Sequence, residues 1–274
     1  MRAYSLIRQA PFYRREAFAA GLKAAGYEVI EGQPGGAMPG DVLVIWNRYD
    51  GIHHIATRFE NEGGTVLVAE NGYLGIGGTI PKFDVHTPKG PEPHHYYSIS
   101  IAWHNGRGRW FYGGPERFAA LGVELKPWRT SGEHILICPN RSFGVGEQVM
   151  PTDWAERTAA KLRQETKRPI VIRRHPGNDR PKRPLSADLE NAWAVVIWSS
   201  GAGIHALAAG IPVICCAPHW IMRGATATGT IEDPIHPHDL TRLANFEQMA
   251  WSQWRLDEIE KGLPFKALFT DASK

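Results

Sequence analysis

Cysteine is scarce: three stand in 274 residues, and no C-x-x-C occurs. Cys215 and Cys216 are adjacent in an apolar run, and neighbouring strand residues point to opposite faces, so they are not placed to pair. A disulfide scaffold is excluded, and a reducing, cytoplasmic compartment is the expected location. No apolar run reaches the length of a membrane span, and the opening MRAYSLIRQAPFYRREAF lacks the apolar core of a secretion signal. The chain is therefore expected to be soluble and not exported. An excess of one charge is also missing. Lys and Arg number 31 against 28 Asp and Glu, a net charge of +3, so no general polyanion-binding surface follows from charge alone. No D-x-D closes a strand, so a divalent metal is not demanded. Twelve histidines invite a zinc reading, but the HH pairs and the H-P-H lack helical i, i+4 ligand spacing, and no metal site is expected. Internal repeats are absent too.

What is present is alternation of apolar runs and helical patterns. Residues 1–7 read as a strand, 12–25 as a helix stopped by Gly26, and 27–31 as a strand. DVLVIW (41–46) is a buried strand, 53–62 a helix, and 65–69 another buried strand running into Glu70-Asn71-Gly72. This order is that of a Rossmann-like half. Residues 75–115 change character, with many Gly, Pro, His and aromatic residues, and read as a long irregular segment. Within it, WHNGRGRW interleaves aromatics and arginines. It is either an ordinary surface loop or an acceptor contact made by Trp103, Arg107 and Arg109.

A second series starts at residue 133. HILICPN is a strand, RSFGVGEQ a glycine-bearing loop, 153–166 a helix, and PIVI (169–172) a strand, followed by a short helix at 185–192. Residues 193–198 (WAVVIW) and 211–216 (IPVICC) are strands flanking GAGIHALAAG, a short helix closed by Gly210. The tail, 239–262, carries Leu243, Phe246, Ala250, Trp254 and Ile259 on one helical face. The expected fold class is α/β, with two Rossmann-like domains, 1–130 and 131–274, facing across a cleft, and a C-terminal helix that crosses back.

Two strand ends stand out. One carries Ser199, Ser200 and Gly201 at the start of the 202–209 helix, where backbone N–H groups and hydroxyls suit an anion. The other is PIVIRRHPGN, with Arg173, Arg174 and His175 at its carboxyl end, the edge at which open α/β sheets bind ligands. Ser199 has an alternative role as a plain helix cap. Arg141 and Gly144 follow the first strand of the second half, where glycine lets the backbone approach a phosphate.

His-Pro at one strand end, and Ser-Ser at another about two dozen residues on, resembles the paired motifs of bacterial sialyltransferases and capsule polysaccharide transferases. WSSGAGIHALAAGIPVI resembles the carboxyl-terminal domains of GT-B glycosyltransferases in general. The likeness covers roughly residues 131–218. It implies a metal-independent glycosyltransferase with no cofactor, using a UDP- or CMP-linked sugar as donor. The second half would bind the donor, and His175 would hold or protonate the leaving phosphate. Arg173, Arg174, Arg141, Gly144, Ser199, Ser200 and Gly201 would surround that phosphate, and Glu232 or Asp233 would take the ribose. The base belongs to the first half: Glu70 first, Asp50 second, Asp84 third. The acceptor is either a cell-surface saccharide or a hydroxymethylated DNA base. Two rivals remain on the same fold: a non-catalytic nucleotide or sugar binder, and a sugar-nucleotide 2-epimerase-like enzyme.

Overall fold

The computed structural model describes residues 1–8, 12–74, 96–142, 144–175 and 183–270. The chain divides into two compact units, one of Met1–Gly122 with Glu247–Lys274 and one of Val123–Phe246. The domain limits read from sequence thus move: the first break falls at 122/123 instead of 130/131, and the tail joins the first unit.

The first unit runs β1 (Arg2–Ser5), α1 (Phe12–Ala24), β2 (Glu28–Ile30), β3 (Val42–Trp46), α2 (Asp50–Asn61), β4 (Thr65–Asn71), β5 (Tyr96–Ile101) and α3 (Glu116–Ala120). Its sheet has the order β12-β5-β4-β3-β1-β2, where β12 is Gln253–Arg255. Strands β4, β3, β1 and β2 are parallel, while β5 and β12 are antiparallel to their neighbours. The strand VLVIW explains the layering. Val42 and Val44 meet Phe18 and Leu22 of α1 on one face, and Leu43 and Ile45 meet Ala56 and Phe59 of α2 on the other. Burial on both faces is why the run is continuously apolar.

β5 was not legible within 75–115. Its sequence YYSISI carries Ser98 and Ser100, which are nonetheless 2% and 3% exposed, so the polar–apolar alternation hides a strand buried on both faces. The tail also differs from one long helix. α7 (Asp239–Ala250) stops, β12 joins the sheet edge beside β5, and α8 (Leu256–Glu260) and α9 (Leu263–Thr270) follow. The break has a physical reason. Gln253 is fully buried, its Oε1 accepting the Tyr73 and Leu74 N–H groups at 2.7 and 2.9 Å and its Nε2 donating to the Leu74 carbonyl at 2.5 Å. Gly21 then lets α8 lie against α1, since a Cβ there would sit 1.8 Å from the Ile259 carbonyl oxygen.

The second unit runs β6 (His134–Cys138), α4 (Trp154–Glu165), β7 (Ile170–Ile172), α5 (Leu185–Leu189), β8 (Ala192–Ile197), α6 (Ala202–Ala208), β9 (Val213–Cys215), a small hairpin of β10 (Thr228–Gly229) and β11 (Pro234–Ile235), and the start of α7. Strands β7-β6-β8-β9 form a wholly parallel sheet in that order. Ile135, Leu136 and Ile137 of β6 and Val195 and Ile197 of β8 are fully buried, as a sheet covered on both faces requires. Gly210 ends α6 at φ +73, and a Cβ there would stand 2.0 Å from the Pro127 carbonyl oxygen. Both facts demand glycine at the position where the sequence places a helix stop. Both units are therefore α/β with parallel strands, as the strand and helix order predicts.

Candidate functional site

β6 lies between β7 and β8, and the registers Ile137↔Ile172 and Cys138↔Ile197 level the three strands. Their continuations, 139–141, 173–175 and 198–201, therefore leave the sheet at one carboxyl edge. Residues 173–175 and 198–201 thus leave the sheet on either side of Asn140 and Arg141 from β6.

The best-defined contact at this edge joins Asn140 to Ser199. The Ser199 backbone N–H donates to Asn140 Oδ1 at 3.0 Å, and Asn140 Nδ2 donates to Ser199 Oγ at 3.2 Å. A backbone N–H can only donate, so this first bond fixes which way the amide faces. Ser200 has a different task. Its Oγ accepts the Ala202 N–H at 3.3 Å, a local bond to the first residue of α6, whose N-cap is Gly201. The next N–H groups are also taken, Gly203 by the Ser200 carbonyl at 3.1 Å and Ile204 by the Gly201 carbonyl at 3.0 Å. α6 has only 7 residues. Ser200 and the helix end therefore do not present the donor array expected from the sequence. Ser199 faces β6 instead.

Arg141 brings a positive charge to this edge, beside the imidazole of His175. His175 is exposed, and desolvation is the first cause holding its imidazole below the ordinary value. The Arg141 charge is the second. An anion bound beside them would oppose both causes and favour the protonated imidazole. Gly144 adopts φ +141 and Gly146 φ +63 in the loop after Arg141. The loop is tied down by Trp198 Nε1, which donates to the Gln148 carbonyl at 3.0 Å, and by His219 Nε2 beside Glu147 Oε1 at 3.4 Å. Gly201 is half-buried, with nothing within 4 Å of where a Cβ would be.

Other expected residues lie elsewhere. Arg173 is ion-paired with Asp188 of α5 and donates to the Arg183 carbonyl at 3.0 Å. Arg174 pairs with Glu156 of α4. Both guanidiniums are thus engaged by carboxylates of neighbouring helices. Glu232 accepts from Thr166 Oγ1 and from Arg168 Nε at 3.2 Å. Arg168 precedes β7 and also donates to the Gly132 carbonyl ahead of β6, so Glu232 sits at the amino edge of the sheet. Asp233 follows it in the β10–β11 hairpin, its N–H donating to Thr230 Oγ1 at 3.0 Å. Both are at the wrong end to meet a ribose held beside Ser199. A cavity of about 250 Å³ lies toward this amino end, lined by Glu133, His134, Asp188 and Glu190 among others.

In the first unit, Glu70 is half-buried near the carboxyl end of β4, paired with Ser98 of β5. Its charge is the second cause, after burial, that raises the Tyr73 phenol above the usual range. Asp50 is the first residue of α2, exposed, where a carboxylate complements the helix end. Asp84, Pro176 and Gly177 lie outside the described residues. Trp103 is engaged within its own unit: the Arg107 guanidinium stacks 3.8 Å and that of Arg48 4.3 Å from its ring centroid. Arg109 is exposed and bridges back to Ile101. The 103–110 segment is thus a closed turn instead of an open stacking platform. Burial pushes the Cys215 thiol up to about 11, so it is no thiolate nucleophile. Among the described residues no group of three His, Cys, Asp or Glu is arranged to hold a metal ion, and no helix is long and apolar enough to cross a membrane.

Comparison with known proteins locates this architecture. Neither a family model nor a curated protein matches the chain. Among the solved structures that do match are two of KpsC from Thermosulfurimonas dismutans. The β-Kdo 2,4 transferase is 14% identical, with a TM-score of 0.56 over 93% of this chain and 92% of that one. The β-Kdo 2,7 transferase is 12% identical, with a TM-score of 0.53 over 100% of both chains. What is shared is the fold. It extends over the first half, where the sequence likeness is weak.

Asn140 is the edge residue that sequence reasoning passed over. It was grouped with the HILICPN strand, and its signal was its place: a short amide two residues beyond a strand end, level with Ser199.

Proposed function

We propose that this protein is a glycosyltransferase that moves a sugar from a nucleotide-sugar donor to a saccharide hydroxyl. The observation that carries the reading is the carboxyl edge of the second sheet, where Asn140, Arg141, His175 and Ser199 gather on three adjacent parallel strands. Such an edge is where open α/β sheets take nucleotides. The fold supports it, because the two KpsC structures that share it are named as Kdo transferases.

In the reaction, the bond between the sugar and the donor phosphate oxygen breaks, and a bond from the sugar to the acceptor oxygen forms. The departing phosphate carries the electron pair. Arg141 stabilises that charge, and His175 accepts a hydrogen-bonding or protonating role toward it. Ser199 adds a hydroxyl donor. Glu70, at the carboxyl edge of the first unit's own strands, takes the acceptor proton. No metal is assigned a step.

Incubation with CMP- and UDP-linked sugars, alone, with oligosaccharide, and with hydroxymethylated duplex DNA, tests this. The expected result is nucleotide release that depends on the oligosaccharide and is lost in Glu70→Gln and His175→Ala. Donor binding without release would identify a binder, and conversion without any acceptor an epimerase-like enzyme. Release with DNA alone would move the acceptor to modified bases.

A further inference from the structure

We infer that His53 binds the acceptor sugar as an Nε2–H donor, and that Arg48 is the positioning residue that sets its tautomer. The inference rests on the transferase reading and concerns the first unit alone. Arg48 follows β3 and is 3% exposed. Every N–H of its guanidinium is taken. Nη1 donates to Glu60 Oε1 at 2.9 Å and to the Ala102 carbonyl at 2.5 Å. Nη2 donates to Glu60 Oε2 at 2.7 Å and to Thr57 Oγ1 at 3.1 Å, and Nε to His53 Nδ1 at 3.1 Å. A guanidinium offers no lone pair, so His53 Nδ1 must be the acceptor in the last of these bonds. A neutral imidazole that accepts at Nδ1 carries its proton on Nε2. Burial first, and the Arg48 charge second, hold His53 below the ordinary imidazole value, which favours that neutral ring.

The result is a donor turned away from Arg48. His53 lies in the first turn of α2, which follows the carboxyl end of β3. Asn47, the residue after that strand, donates its N–H to the Ala69 carbonyl at 2.9 Å, and Trp46 is in register with Ala69. The edge is therefore level with Glu70, the residue assigned to take the acceptor proton. His53 is half-buried, and among the described residues its Nε2–H meets no protein acceptor. Its ring leans on Trp103, 5.5 Å between centroids, and the Arg107 guanidinium stacks on the same indole at 3.8 Å. A corner of N–H donors suits oxygens that accept. One sugar hydroxyl gives its proton to Glu70, and a neighbouring sugar oxygen accepts from His53.

The test has two arms, both on the full chain. Long-range proton–nitrogen NMR of protein labelled at histidine, near neutral pH, reads which imidazole nitrogen carries the proton. The His53 signals are those missing from His53→Asn and His53→Gln. An Nε2–H signature is expected. A proton on Nδ1, or exchange between the two nitrogens, would overturn the inference whether or not the protein is a transferase. The second arm is steady-state kinetics with the CMP- or UDP-linked sugar and the oligosaccharide that support nucleotide release in the parent. In His53→Asn the side-chain oxygen still accepts from Arg48 Nε, but nothing reaches the Nε2 position. Loss of one neutral hydrogen bond predicts an acceptor KM about three- to tenfold higher. The kcat and the donor KM should stay near the parent's, the mark of a binding contact. His53→Gln returns an N–H near the Nε2 position and should recover part of the loss. A merely structural role would lower Tm in both variants without separating acceptor KM from donor KM. An unchanged acceptor KM in His53→Asn, or a change confined to the donor KM, would overturn the inference and leave the transferase reading intact. No turnover by the parent with any donor and oligosaccharide would overturn that reading, and the acceptor role of His53 with it. Arg48 itself is left in place, because removing it would strand Glu60 without its partner.

Discussion

Two glycines separated by one residue at the head of α6 should respond oppositely to an added methyl group. Gly203 is buried, and a Cβ there would lie 2.7 Å from Ile197 Cδ1 and 2.9 Å from two atoms of the Trp220 ring. The ring cannot swing away in a packed core, so Gly203→Ala overpacks at a cost of about 1–3 kcal/mol. Gly201 has helical backbone angles, φ −59 and ψ −21, and a Cβ there would meet nothing within 4 Å. Gly201→Ala removes unfolded-state freedom and should stabilise by about 0.4–1 kcal/mol. With a urea slope of about 2 kcal/mol per molar, the midpoint should fall by about 0.5–1.5 M in Gly203→Ala and rise by about 0.2–0.5 M in Gly201→Ala. Tryptophan fluorescence during urea titration reads both, Trp220 being in contact with the altered site. Gly201→Leu extends the same comparison to function: it projects a bulky group into the open space beside Ser199, and should keep the midpoint while losing nucleotide affinity. A neutral Gly203→Ala beside a destabilised Gly201→Ala would refute the packing derived for this turn.

Two predictions concern pH. The imidazole of His175 is held below 6.5 by desolvation first and Arg141 second. The unfolded chain therefore binds more protons just below 6.5, so His175 erodes stability as pH falls through that window, and the erosion stops below the folded value. Bound phosphate should pull a proton on: CMP binding near pH 6.5, run in buffers of different ionisation enthalpy, should show more proton uptake in the parent than in His175→Gln. Equal uptake would remove His175 from the phosphate. Asp41 is held below 3.8, chiefly by the Arg2 side chain, whose Nε and Nη2 donate to Oδ2 at 3.0 and 2.5 Å. Its contribution is complete above the ordinary value and is lost as pH falls through the depressed one. Asp41→Asn should lower Tm at pH 7 and flatten the acid limb of a melting series between pH 4.5 and 2.5; an unchanged limb would contradict the pairing.

Much of the second unit was legible because its inner strands β6 and β8 are buried on both faces and so appear as unbroken apolar runs. Gly210 was legible for a local reason, the left-handed turn that ends a helix. Charge direction was not. Arg173 stands at a strand end and was assigned to the ligand, but Asp188, fifteen residues on, claims it, and only the placement of α5 reveals that. Glu232 failed for a similar reason: its strand neighbours place it beside Arg168 at the opposite edge. Ser199 and Ser200 look equivalent in sequence, yet one bonds locally to the Ala202 N–H and the other is held by an amide from a neighbouring strand. β5 was hidden by Ser98 and Ser100, whose burial follows from the strands on either side of them.

The pairing of β12 with β5 sets an order of assembly. Residues 123–246 form an uninterrupted stretch, so their sheet can close as soon as they leave the ribosome. The earlier-made sheet must wait, because its outer strand and the Gln253 side chain that grips Tyr73 and Leu74 are synthesised about 180 residues later than the backbone they hold. The unit that begins the polypeptide is thus the later of the two to be completed, and until then β5 offers an open border that a chaperone, or another nascent chain, can find first.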